Sequence, residues 1–260
     1  MQTKEKNLNS DKLWDEILKS IVQNMPAQLL PLIKDVFGIE YSKDVNITLL
    51  PTEQTLPQDG NYQKLTSIYS DIALMIDGKD IYHIESQMKN TDNMSIRMIK
   101  YDFHLALSNS TTKADGKSFT IEFPKSVVIY PAVNNSIPDE LTCHLIFPDG
   151  STHDYKVPTV KIQTYSFQEI REKHLTLFLP FKLLQFVPRL KSNKSPLTAD
   201  ELTKCVDDII FILKEEKDAG RITQSQYEDY IDLIDKSAER VFAKHQNFQE
   251  QVINMTKSLI

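Results

Sequence analysis

Residues 70–87, SDIALMIDGKDIYHIESQ, read as two short apolar strands joined by a tight turn, with charged side chains set inside them. Strand side chains alternate between faces, so Ile72, Leu74 and Ile76 share one side and Asp71, Ala73 and Met75 the other. In the second strand Tyr82, Ile84 and Ser86 alternate with His83, Glu85 and Gln87. Keeping the apolar faces together requires even-numbered residues to pair with even-numbered ones. A connection through Gly78, Lys79 and Asp80 satisfies this, with Asp77 opposite Ile81, Leu74 opposite Ile84 and Asp71 opposite Gln87. The expected register gathers Asp71, Glu85 and Gln87 on one patch, Glu85 lying diagonal to Asp71 at roughly 7–8 Å between backbones. Two carboxylates at that spacing suit magnesium, which takes a few carboxylate oxygens and completes its shell with water and phosphate. The same alternation also describes the solvated side of an ordinary sheet, and spacing leaves both readings open.

The rest of the chain supplies a frame for this hairpin. Residues 11–24 place Leu13, Ile17, Ile21 and Val22 on one helical stripe, and 27–37 read as a second helix ended by Gly38. Residues 45–50 read as a strand and 51–66 as a polar loop with Pro51, Pro57 and Gly60. After the hairpin, Met94, Met98, Tyr101 and Leu105 fall at helical spacing behind an Asp92 cap, giving a helix to Ser108. Strands follow over 119–133 and on either side of a Pro-Asp-Gly-Ser turn at 148–151. The order helices, strands, one crossing helix, more strands predicts a mixed α/β core. The chain turns helical after 166. Beyond a charged, proline-containing stretch at 188–198, two amphipathic helices separated by Gly220 are expected to form a helical hairpin. The boundary drawn there divides a domain of 1–190 from a helical region of 191–260.

The 260 residues carry a net charge of −6, which argues against broad phosphate coating and leaves room for a confined basic groove. No run of eighteen apolar residues occurs, and the N-terminus is polar and lysine-rich, so no membrane association is expected and a cytoplasmic location is. Cys143 and Cys205, far apart and in no metal-ligand spacing, read as reduced.

Arg97 and Tyr101 stand four apart on the helix after the hairpin and project together. Arg can hold a phosphate or a carboxylate through two parallel hydrogen bonds, and Tyr adds a hydroxyl. With them, the run SDIALMIDGKDIYHIESQMKNTDNMSIRMIKYDFHLAL resembles the core of the PD-(D/E)XK nuclease family transposases and the related recombination-promoting nucleases. Their pattern is an Asp on one strand, Glu-x-Gln at the end of the next, then a helix with Arg and, four residues on, Tyr. Here the matching positions are Asp71, Glu85-Ser86-Gln87, Arg97 and Tyr101, and LTLFLPFKLLQF at 175–186 is similar to a leucine-proline segment that follows the core in those relatives.

The resemblance implies a restriction-endonuclease-like fold, a mixed central sheet flanked by helices, and metal-dependent cleavage of DNA. Asp71 and Glu85 would bind Mg²⁺, with Mn²⁺ as a substitute, and Gln87 would stand where most such nucleases keep a Lys, without supplying its positive charge. Arg97 would steady the carboxylates or contact phosphate, supported by Tyr101. A further acid from the first core helix often completes such sites, with Glu40 the first choice and Glu16 and Asp35 its rivals. His83 shares the Glu85 face and reads as a hydrogen-bonded structural residue. Lys89 lies two positions past Gln87. Two other readings stay open: a module of the same fold that binds protein or DNA without turnover, and an assembly protein that forms a homodimer through its C-terminal helices.

Overall fold

A computed structural model of the chain describes residues 2–51, 53–58, 61–69, 72–112, 118–133, 136–192 and 195–257. In chain order, α1 (Gln2–Asn24) and α2 (Leu30–Phe37) lead to β1 (Ile47–Leu49), β2 (Glu53–Gln58), β3 (Asn61–Tyr69), β4 (Ile72–Ile76) and β5 (Asp80–Ser86). Helix α3 (Met94–Ser108) precedes β6 (Thr111–Thr112), β7 (Phe119–Thr120), β8 (Lys125–Tyr130), β9 (Glu140–Ile146) and β10 (Thr152–Lys161). The chain closes with α4 (Phe167–Glu172), a 3₁₀ segment over Thr176–Phe186, α5 (Val187–Leu190), α6 (Ala199–Asp218), α7 (Gln224–Val241) and α8 (Gln246–Lys257). The fold is mixed α/β, and its packing separates two compact units: residues 36–129 with 136–160, and residues 1–35 and 130–135 with 161–260. That division crosses the 1–190 and 191–260 boundary read from the sequence, because α1 packs in the same unit as the C-terminal helices.

The first unit is built on a six-stranded mixed sheet in the order β1-β4-β5-β8-β10-β9. β4 lies antiparallel to β1 and β5, whereas β5 and β8 run parallel, with Ile84 opposite Val127 and Glu85 opposite Val128. A parallel pair needs a crossover of a dozen residues or more, and α3 supplies it. Met94, Met98, Leu105 and Ala106 of α3 are buried, as are Ile72, Leu74, Ile84, Val127 and Ile129 of the central strands. The buried stripe of α3 therefore passes through Asp102 where Tyr101 was expected, and Tyr101 is only half-buried.

The β4–β5 hairpin keeps even residues opposite even ones, but its register differs from the expected one by two positions. Leu74 pairs with Tyr82 rather than Ile84, and Ile76 pairs with Asp80. The turn itself explains the shift. Asp77 and Gly78 both take positive φ, 52° and 66°, the backbone of a tight hairpin turn that Asp and Gly tolerate best. Asp77 is held outside the ladder by Asn46, whose N–H donates to its carboxylate at 3.3 Å. Asp80 instead enters the strand, where Lys125 donates to it at 2.8 Å and Tyr41 at 3.0 Å.

A second correction concerns 51–66, expected as a polar loop. Residues 53–58 form β2 and 61–66 the first part of β3, which pair antiparallel. The β-forming run NYQKLTSIY outweighs the prolines, and Pro57 sits beside a register shift, where a missing N–H is tolerated.

In the second unit α1 buries Trp14, Ile17, Leu18, Ile21 and Val22, and the Trp14 ring lies 6.0 Å from Phe181. The 3₁₀ segment is buried along nearly its whole length and winds through Pro180. Helices α6 and α7 each begin with a capping box, Thr198 with Glu201 and Thr223 with Gln226, and Gly220 takes φ 65° between them. The expected helical hairpin is thus present, extended by α8 into a three-helix arrangement.

Candidate functional site

Glu85 sits near the end of β5, where side-chain alternation turns it and His83 toward α3. Although it carries a carboxylate, Glu85 is only 1% exposed. Burying a charge this deeply is unfavourable unless it is paired. Arg97 of α3 reaches down and donates from Nη2 to Glu85 Oε1 at 2.7 Å, and Gln87 donates from Nε2 to the same oxygen at 3.3 Å. Gln87 is itself fixed by its backbone N–H, which donates to the Ile129 carbonyl of β8 at 2.9 Å. The Arg97 guanidinium lies 5.7 Å from the centre of the Tyr101 ring. Of the residues singled out in the sequence, Glu85, Gln87, Arg97 and Tyr101 are brought together. Asp71 lies outside the described residues.

The other candidates fall elsewhere. Glu40 and Lys89 are exposed. Asp35 accepts from the Tyr165 hydroxyl at 2.7 Å and pairs with Lys173 at 2.6 Å, and exposed Glu16 pairs with Lys12 at 3.5 Å, all in the unit built on the helices.

Behind Glu85 lies a cluster that hydrophobic periodicity did not disclose. His83, wholly buried, donates from Nδ1 to Asp102 Oδ1 at 2.6 Å. Asp102 Oδ2 accepts from the Ser126 hydroxyl of β8 at 2.6 Å and from the Tyr155 hydroxyl of β10. The Ser126 and Tyr155 hydroxyls donate to Asp102, and a proton on His83 Nδ1 completes the third contact. His83 Nε2 stands 3.6 Å from Glu85 Oε2, beyond a full hydrogen bond and within an ion pair. The Tyr101 ring meets the imidazole edge-on at 6.0 Å. Burial opposes charge on this ring, but the hydrogen bond to Asp102 and the attraction of Glu85 overcome it and raise the His83 pKa to about 9. Burial first, and then the negative Asp102, push the Tyr155 phenol well above its ordinary value.

His83 was read as a hydrogen-bonded structural residue, and it is buried and bonded to Asp102. One signal for Asp102 was available: an acid one helical turn past Met98, on the apolar stripe of α3, has to find a polar partner inside. Ser126 and Tyr155 had none, since both contacts come from strands distant in the chain.

Two cations and an amide thus converge on one buried carboxylate, with a second carboxylate behind. For a hard divalent ion the described donors amount to part of a site: the Glu85 carboxylate and the Gln87 amide oxygen are of the right type. Among the described residues no group of three or more His, Cys, Asp or Glu side chains is arranged to hold a metal, and the second carboxylate of the expected set is Asp71. No helix among the described residues is long and apolar enough to cross a membrane. Comparison with protein-family models, curated proteins and solved structures returns no match for this chain.

Proposed function

We propose that this chain is a magnesium-dependent DNA endonuclease with a restriction-endonuclease-like core, of the type its hairpin and following helix resemble. The observation that carries the reading is the convergence of Glu85, Gln87 and Arg97, contributed by the end of β5 and the first turn of α3. An antiparallel β4–β5 hairpin followed by a helix crossing to parallel β8 suits such a core, because it presents strand-borne ligands on the face that the helix also reaches. Glu85 together with Asp71 would hold Mg²⁺ or Mn²⁺. Bound there, the ion supplies polarisation of a phosphate oxygen and a water of lowered pKa.

The chain's own groups have separable tasks in this reading. Arg97 holds the Glu85 carboxylate in one orientation and brings a positive charge that would attract a phosphate. Gln87 keeps an amide oxygen to orient a water, but brings no charge of its own. Lys100, exposed on the next turn of α3, offers a screened attraction to the DNA backbone. Two copies would be needed to cut both strands, and the C-terminal helices are the expected contact.

The test is plasmid nicking in Mg²⁺, Mn²⁺ or EDTA. Wild type should nick with either ion and stop with EDTA. Glu85→Gln, which keeps the shape, and Asp71→Ala should both abolish cleavage while remaining folded. A pure protein inert on every DNA form, or nicking undiminished in both variants, overturns the reading.

One observation favours a second reading, a module of this fold that binds DNA or protein without turnover. Glu85 is already paired with Arg97 and faces His83, and Gln87 lacks a lysine's charge. Retarded DNA migration without nicking in any metal would select it.

A further inference from the structure

The cluster centred on Asp102 has no part in the proposed chemistry, yet His83 carries it to the proposed site. Asp102, fully buried, is bonded by three donors from three separate strands: His83 of β5, Ser126 of β8 and Tyr155 of β10. A carboxylate fixed from three sides cannot rotate, so the imidazole that bonds to it is fixed too, and Nε2 is aimed at Glu85 Oε2. The opposite oxygen, Oε1, is taken by Arg97 and Gln87.

We infer that Asp102 is a positioning residue of the site, acting through His83 to orient the Glu85 carboxylate. This rests on the reading of Glu85 as the carboxylate that the site uses. Packing alone needs no such chain, since an apolar pair in place of Asp102 and His83 would fill the same volume without burying polar groups. Outer partners of a carboxylate ligand characteristically set its orientation and affinity. The polar path Tyr155–Asp102–His83–Glu85 links β10 to the end of β5 without passing through backbone.

The experiment uses the full chain without metal, labelled with ¹³C at glutamate carboxyls and ¹⁵N at histidine, with Glu85 assigned by Glu85→Gln. Asp102→Asn and the gentler Tyr155→Phe should each shift the His83 ring nitrogens and the Glu85 carboxyl carbon. In a His83→Gln background the Tyr155→Phe shift at Glu85 should vanish, because the connecting ring is gone. A Glu85 carboxyl unmoved by both variants while His83 responds overturns the inference, since the network then ends at the imidazole. Mn²⁺ affinity provides a second reading, with a loss of about tenfold expected for Asp102→Asn. If the carboxyl responds but wild type neither binds Mn²⁺ nor nicks DNA, the positioning role stands and the nuclease reading alone fails.

Discussion

Arg97 Nη2 lies 2.7 Å from Glu85 Oε1, joining a side chain that is one-third exposed to one that is 2% exposed. The pair therefore bridges solvent and core, and its two halves are not equivalent. Removing the exposed partner strands a charge inside, a change that commonly costs about 3–5 kcal/mol. His83 compensates part of that charge at 3.6 Å. Arg97→Ala should therefore destabilise the protein by about 3 kcal/mol, read from the midpoint of urea unfolding. A change below about 1 kcal/mol, the usual limit for a surface pair, would show that Glu85 does not depend on Arg97.

Around Asp102 the donors differ in importance. Tyr155→Phe removes one hydroxyl and leaves Asp102 bonded to His83 and Ser126, a loss of about 1 kcal/mol. Asp102→Ala removes the acceptor of all three and leaves buried donors unsatisfied, so it should cost about 3 kcal/mol or more. Denaturant unfolding of both variants checks the order, and equal effects would contradict the geometry.

Acid should loosen the start of α6. Glu201 accepts from the Thr198 backbone and hydroxyl and pairs with Arg189 at 2.8 Å. Arg189 first, and then the Thr198 donors, lower its pKa from 4.5 to about 2. A depressed carboxylate contributes stability that is complete above its ordinary pKa and is lost as pH falls through the depressed one. The difference in stability between wild type and Glu201→Gln should therefore be constant above pH 4.5 and shrink as pH falls toward 2. Urea midpoints across that range provide the measurement.

The two cysteines should react at different rates. Cys205 is buried, and burial pushes its thiol up to about 12, whereas Cys143 is half-exposed on β9. Since the thiolate is the nucleophile, brief alkylation of the native protein should modify Cys143 alone, and both should react in denaturant. Intact mass followed by peptide mapping distinguishes the sites.

Much of the candidate site was legible because its residues lie close in the chain. Glu85, Gln87, Arg97 and Tyr101 fall within one strand, one loop and one helix, where the twofold and 3.6-fold periods say which side chains share a face. The hairpin's parity was legible for the same reason. Its register was not: the choice between Asp77 and Asp80 as the residue entering the strand turned on Asn46, Tyr41 and Lys125, which come from outside the hairpin. Strand β2 was hidden by Pro57 and its polar residues, and α8 was missed beyond the two helices that were expected.

The sequence alone determined the mixed α/β order, the crossing helix, the shared face of Glu85 and Gln87 and that of Arg97 and Tyr101, since each depends on near neighbours along the chain. Only the tertiary structure decided that Asp102 would be the buried acid of α3 and that Ser126 and Tyr155 would meet it there. The reason is physical: a buried charge is tolerated only where several donors converge, and those donors arrive from strands brought together by the sheet, at separations of 24 and 53 residues that no local pattern records.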